Sequence, residues 1–154
     1  MLIGEILDPG AVMARLGAKT KAQVLVAIAD IAAQNFGLES GAILEALNAR
    51  EQSGSTGVGH GVAVPHARIE GLSRTQGVFV RLEQPVAFDA LDGQPVDLFF
   101  ALFSPADSGS AHLKALARVS RLLRQPGLRE QLRQAKASDA ILALLNQDAT
   151  STAA

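Results

Sequence analysis

Apolar residues change their spacing three times along the chain. From Thr20 to Phe36, Val24, Leu25, Ile28, Ile31, Ala32 and Phe36 recur at helical intervals. Thr20, with Gln23 three residues on, has the form of a capping box, and Gly37 supplies a stop. This pattern predicts a helix over about 20–36. A second helix is predicted over about 40–50, from Ser40 to Arg50, with Ile43, Leu44 and Leu47 as its apolar face. The period then shortens. Gly77-Val78-Phe79-Val80-Arg81-Leu82 has strand composition and partial alternation. Val62 to His66 reads as a short apolar strand, and Asp92-Gly93 as a turn. Val96 to Phe103 is apolar except for Asp97, as expected of a strand covered on both faces.

The last third returns to helical spacing. Ser110 caps a predicted helix running to about Arg124, with Leu113, Leu116, Ala117 and Leu123 inward. Pro126-Gly127 breaks it, a short helix follows over about 128–135, and a final one starts near Ser138 with Ile141, Leu142, Leu144 and Leu145. Residues 148–154 read as a frayed tail. Helices before and after a buried strand imply an α/β fold, one sheet with helices on both sides.

Composition narrows the function classes. A chain of 154 residues suits a single domain, 1–154, without repeat or linker. A content of 48% hydrophobic and 19% charged residues is that of a globular protein, not a disordered one. Net charge of −1 gives no basic excess for nucleic acid as a partner. Cysteine is absent, which removes disulfides, thiol nucleophiles and thiolate metal ligands, and fits a reducing compartment. Met1-Leu2-Ile3-Gly4-Glu5 lacks the basic start of a signal peptide. No apolar run reaches the ~20 residues of a spanning helix. The expectation is a cytoplasmic protein without membrane insertion.

The inventory for chemistry is short: three histidines, no cysteine, tryptophan or tyrosine. His66 follows Pro65 after the short strand and faces a glycine-rich loop, Gly54 to Gly61. A neutral imidazole is a nucleophile near physiological pH. The alternative is a histidine ending an edge strand with no role. Arg50, at a helix end leading into that loop, offers a rigid fork of donors suited to phosphate oxygens. It reads equally as a solvated arginine favoured by the helix dipole. The loop's glycines, with Ser55 and Thr56, suit close approach of backbone amides to an anion. They also suit an ordinary flexible loop. The loop lacks the Gly-Lys-Ser/Thr ending of a Walker A motif and the dinucleotide fingerprint, so no nucleotide cofactor is implied. His112, in the first turn of a helix, is a donor to an anion or a surface histidine. His60, between glycines, ranks below both.

No histidine pair has helical ligand spacing, so no metal is expected. Asp89, Asp92 and Asp97 read as turn and edge residues rather than acid–base groups. Lys114, Arg118, Arg121, Arg124, Arg129 and Arg133 form a solvated helical face, or a contact surface for an acidic partner.

Taken together these pieces are more specific. Arg50-Glu51-Gln52-x-Gly54-Ser55-Thr56-Gly57-x-Gly59-His60-Gly61-Val62-Ala63-Val64-Pro65-His66 resembles the active-site signature of the fructose/mannitol type of enzyme IIA domain of the bacterial phosphoenolpyruvate-dependent phosphotransferase system. Phe88-Asp89-Ala90-x-Asp92-Gly93-Gln94-Pro95-Val96-Asp97-Leu98 and His112-Leu113 fit the same family. The likeness covers a core of about 7–145. The stretch Gly77 to Ala90 is most similar to the nitrogen-regulatory branch, IIA-Ntr.

The resemblance implies a mixed sheet of about five strands between helices. It implies phosphotransferase activity of the phosphocarrier kind, with His66 as phosphoryl acceptor through Nε2. Arg50 would neutralise the phosphoryl group, His112 would support it, and Ser55 and Thr56 would lie in the loop lining the site. The donor implied is an HPr-like protein (NPr), charged by enzyme I-Ntr, and the output is regulatory, with potassium transporters or sensor kinases as targets. The readings that compete are a sugar-specific IIA domain passing phosphate to a IIB domain for transport, and a module that senses anions without covalent transfer.

Overall fold

The apolar run that includes Val96 to Phe103 becomes strand β6 (Val96–Pro105), on which the sheet is assembled. The computed structural model describes residues 2–153, with side chains through Gln147. Six of the strand's residues, Leu98 to Phe103, are 0% exposed, so both of its faces are covered. β5 (Gln76–Val86) lies antiparallel along one edge, with Phe79 opposite Phe100, and β1 (Val12–Leu16) lies parallel outside β5.

The other edge of β6 carries two short parallel strands in succession, β3 (Val62–Ala63) and β4 (His66–Ile69). Ala63 sits opposite Phe99 and His66 opposite Leu102, so one register runs through both. They are a single strand interrupted at Val64-Pro65. Pro65 has no amide to donate, and the Val64 amide turns to Thr56 O at 3.0 Å. β2 (Gly57–Gly59) completes the sheet antiparallel to β3. Six strands thus occupy five positions, in the order β1, β5, β6, β3 with β4, and β2.

Neighbouring strand residues point to opposite faces. Phe103 packs against Phe36 of α2 (Lys21–Phe36), with ring centroids 5.6 Å apart. The next residue, Ser104, reaches His112 of α4 (Ser110–Leu122). Helices therefore cover both faces, α2 with its neighbour α3 (Ser40–Gln52) on one and α4 on the other. The α2 start is as expected: Thr20 Oγ1 accepts from the Gln23 amide at 3.2 Å, while Gln23 Oε1 accepts from Lys19 N at 2.8 Å. Gly37 ends it at φ +72°, a left-handed conformation glycine adopts freely.

The structure corrects several expectations. His66 opens β4 instead of closing a strand that runs from Val62. The glycine-rich segment is largely a hairpin: His60 and Gly61 both have positive φ, as a two-residue turn between twisted strands requires. Gly109, not Ser110, precedes α4 as its cap. The inward face of α4 is His112, Ala115, Val119 and Leu122, while Leu113 is 63% exposed. Of the residues expected inward, Leu123 is buried and Leu116 packs half-buried on the core, whereas Leu113 and Ala117 face solvent, because His112 holds the inward position of the first turn. Pro126 opens α5 (Pro126–Gln134), as proline does at a first helical position. Arg133 is half-buried and paired rather than free on a solvated face: it donates to both oxygens of Asp97 at 2.9–3.2 Å and to His60 O at 2.7 Å.

Residues before Thr20 form α1 (Ile3–Ile6), a 3-10 turn (Pro9–Ala11) and β1, none of which the spacing signals. The final helix, α6 (Ser138–Ala153), packs on β1 and α1. The tail expected over 148–154 lies outside the residues whose side chains are described.

Phe103 joins β6 to α2 at 0% exposure. Phe103→Ala is expected to lower stability by about 3–5 kcal/mol, read as a fall in the urea midpoint.

Candidate functional site

α3 ends in Arg50-Glu51-Gln52, and the two charged side chains go opposite ways. Arg50 Nε donates to His66 Nε2 at 3.0 Å, and its Nη1 donates to Gly54 O at 2.8 Å. Glu51, its side chain 6% exposed, accepts from the amide and the hydroxyl of Thr56 and pairs with Lys21 Nζ at 3.0 Å. Lys21 in turn lies 4.4 Å over the Phe88 ring. A buried carboxylate needs such partners. Here they fasten the turn after α3, and the same turn presents the carbonyl that holds Arg50.

The hydrogen bonds of His66 settle its tautomer. A guanidinium only donates, so Nε2 carries a lone pair. The proton is then on Nδ1, which donates to Val64 O at 2.9 Å. Burial lowers the His66 pKa from the ordinary 6.5, and the Arg50 charge lowers it further, against the raising effects of the Val64 carbonyl and the Glu51 charge. The ring is neutral at pH 7, with its nucleophilic nitrogen turned to the arginine.

His112 is 4% exposed, its ring 5.4 Å from that of His66 and tilted by 55°. Its Nδ1 lies 2.7 Å from Ser104 Oγ. Burial foremost, then the neighbouring His66 and Arg68, push its pKa down from 6.5 to about 4. A residue that the sequence reading missed completes the site. Arg68 lies two residues past His66 and therefore points to the same side of β4. It donates to Ser108 Oγ at 2.8 Å and Gly109 O at 3.2 Å, tying the strand to the start of α4. That period-two spacing was the available signal.

Ala46 and Ala49 of α3 line the cleft beside Arg50, His66, Arg68 and His112. Small side chains there leave the cleft open. Two guanidiniums and two neutral imidazoles, with no carboxylate in the lining, make a receptor for a compact anion.

The structure thus brings Arg50, His66 and His112 together. Ser55 and Thr56 are engaged elsewhere: Ser55 Oγ donates to Phe88 O at 2.7 Å, and Thr56 binds Glu51. The amides of Gly54, Thr56 and Gly57 are likewise bonded within the turn. His60 lies at the hairpin tip, its amide on Asp92 at 3.0 Å. Among the described residues, no group of three or more histidines and carboxylates is placed to hold a metal, and no helix is long and apolar enough to cross a membrane.

A histidine with a depressed folded pKa binds its proton more readily when unfolded, so folding gains stability as pH rises. The His112 contribution is full above about 6.5 and is lost as pH falls toward about 4. The urea midpoint of the wild type should therefore drop between pH 7 and pH 4.5, and His112→Gln should drop less.

The family model described as phosphoenolpyruvate-dependent sugar phosphotransferase system, EIIA 2, matches residues 5–148. A nitrogen regulatory protein of Bradyrhizobium diazoefficiens is 41% identical over 145 residues, 94% of this chain and 95% of that protein. One from Escherichia coli is 38% identical over 144 residues, 93% of this chain and 88% of that protein. The crystal structure of nitrogen regulatory protein IIA-Ntr from Neisseria meningitidis superposes with a TM-score of 0.88 at 34% identity, covering 93% of this chain and 98% of that one. With a family match across almost its whole length, this chain belongs to the EIIA type 2 family of the phosphoenolpyruvate-dependent phosphotransferase system.

Proposed function

We propose that this chain is a histidine phosphocarrier of the nitrogen-regulatory kind, in which His66 Nε2 accepts a phosphoryl group from the phosphohistidine of an HPr-like protein (NPr) charged by enzyme I-Ntr. The observation that carries the reading is the line from Val64 O through the His66 ring to Arg50. It leaves a bare nitrogen at the cleft with a guanidinium already upon it.

Arg50 occupies the Nε2 lone pair in the resting protein, so transfer begins when its donors move onto the incoming phosphoryl oxygens. Nε2 then attacks phosphorus in line with the donor nitrogen. The new P–N bond forms at Nε2 while the old one breaks, and the donor imidazole leaves with that electron pair. Nδ1 keeps its proton on Val64 O, which stabilises the positive charge the ring acquires. Arg50, Arg68 and His112 meet the negative oxygens, so catalysis is positioning and electrostatics. A bond of one kind is exchanged for another of the same kind, so the transfer is close to thermoneutral and requires neither metal nor nucleotide.

The adduct adds about −1.5 to −2 charge to a cleft of arginines and neutral imidazoles. That near-neutralisation of the local positive charge is the signal: it changes which protein surfaces dock there. The nitrogen regulatory names of the relatives support a regulatory output, and the resemblance implies potassium transporters or sensor kinases as its targets.

Intact mass, after mixing with phosphoenolpyruvate, enzyme I-Ntr and NPr at neutral or alkaline pH, tests the reading. One phosphoryl adduct is expected on the wild type and none on His66→Ala. Wild-type rates of uptake by His66→Ala would overturn the assignment. Arg50→Ala is expected to slow transfer by about 100-fold, with Arg50→Lys between the two in a quenched time course.

A further inference from the structure

The two cleft histidines present the same ring atom, Nδ1, to different chemical groups. Under His66 it is a backbone carbonyl, Val64 O at 2.9 Å, which only accepts. Under His112 it is a hydroxyl, Ser104 Oγ at 2.7 Å, which can donate. Ser104 is 0% exposed and stands at the end of an apolar run. A buried hydroxyl is disfavoured unless bonded. Its Oγ has a second neighbour, Thr75 Oγ1, at 3.3 Å. Thr75 is only half-buried, so the three groups form a chain from the protein surface to the underside of the His112 ring.

We infer that Ser104 is a positioning residue that donates to His112 Nδ1, so that His112 offers an Nε2–H donor to the cleft where His66 offers an Nε2 lone pair. The chain runs Thr75 O–H to Ser104 Oγ, and Ser104 O–H to His112 Nδ1. The reverse direction would leave a bare Nε2 on both rings, giving the cleft two competing nucleophiles and no imidazole donor for the anion. Carbonyl against hydroxyl is what separates acceptor from supporter. The low pKa of His112 fits, since only a neutral ring has a tautomer to select. The inference deepens the phosphocarrier reading and rests on it for its meaning in transfer, but the tautomers can be read without any transfer.

The experiment is nitrogen-15 NMR of the histidine rings in the unphosphorylated chain at pH 7, for wild type, Ser104→Ala, Ser104→Thr and Thr75→Val. The expected pattern in the wild type is a protonated Nδ1 on His66 and a protonated Nε2 on His112. Ser104→Ala should mix the His112 tautomers while leaving His66 unchanged, and Ser104→Thr should restore the wild-type pattern. A wild-type His112 protonated on Nδ1 overturns the inference, and that spectrum decides even if Ser104→Ala fails to fold. An unaltered His112 pattern in folded Ser104→Ala overturns it too. In transfer from phosphorylated NPr, Ser104→Ala should lower the maximal rate ~10-fold or more at an unchanged half-saturating NPr concentration. Full wild-type rates in folded Ser104→Ala would overturn the role. Failure of His66 to take phosphate at all would instead overturn the phosphocarrier reading and leave the tautomer result standing.

Discussion

The hydrogen bond from Arg50 to His66 joins two groups that could both be cations, and it exists only while the imidazole is unprotonated. Burial and the arginine's own charge keep it so. Much of the surrounding structure serves this contact. Val64 O holds the far side of the ring, and Gly54 O holds the far side of the guanidinium. The turn that supplies Gly54 is in turn fastened by Glu51 and Thr56, with Lys21 neutralising the buried carboxylate. The imidazole and its guanidinium partner are thus held from both ends, which spares them reorganisation when an anion arrives.

The architecture explains why the cleft lies where it does. α3 and α4 belong to opposite faces of the sheet and come together only around its boundary, where β4 has no further strand beside it. Arg50 arrives from one layer, His112 from the other, and the strand between them contributes His66 and Arg68. The interruption at Pro65 matters here. A continuous strand would commit Val64 and its neighbours to ladder bonds, whereas the break frees the Val64 carbonyl to face the histidine ring.

Much of this was legible in the sequence, and the rest was hidden for physical reasons. Periodicity located the helix at 20–36, the helix from Ser40 and the buried strand at 96–103, because each buries a full face. The N-terminal elements escaped because they are short: β1 alternates over only five residues, Val12 to Leu16. At the start of α4 only Leu113 misleads, because His112 beside it takes the buried position. Of the site, Arg50, His66 and His112 stood out as residue types suited to an anion. Ser55 and Thr56 suggested an anion-binding loop, yet their hydroxyls bind within the fold. Arg68 escaped, although its place two residues from His66 along a strand was a usable signal. Ser104 had only one mark in the sequence, a small polar residue closing an apolar run. Its role depends on which atom lies 2.7 Å away, and sequence does not carry that.

The interrupted strand also bears on how a chain of this kind can vary in length. Val62 to Ile69 looks like a loop with two fragments of strand, the sort of segment where insertions are usually harmless. Yet β3 and β4 keep one register against β6 on both sides of the break. One residue gained or lost between Ala63 and His66 would turn the histidine to the other face of the sheet, away from α4. The tip of the preceding hairpin, from Gly59 to Gly61, is constrained separately, by Arg133 and Asp92. Length change between homologous chains is therefore forbidden across two residues that form no regular structure at all.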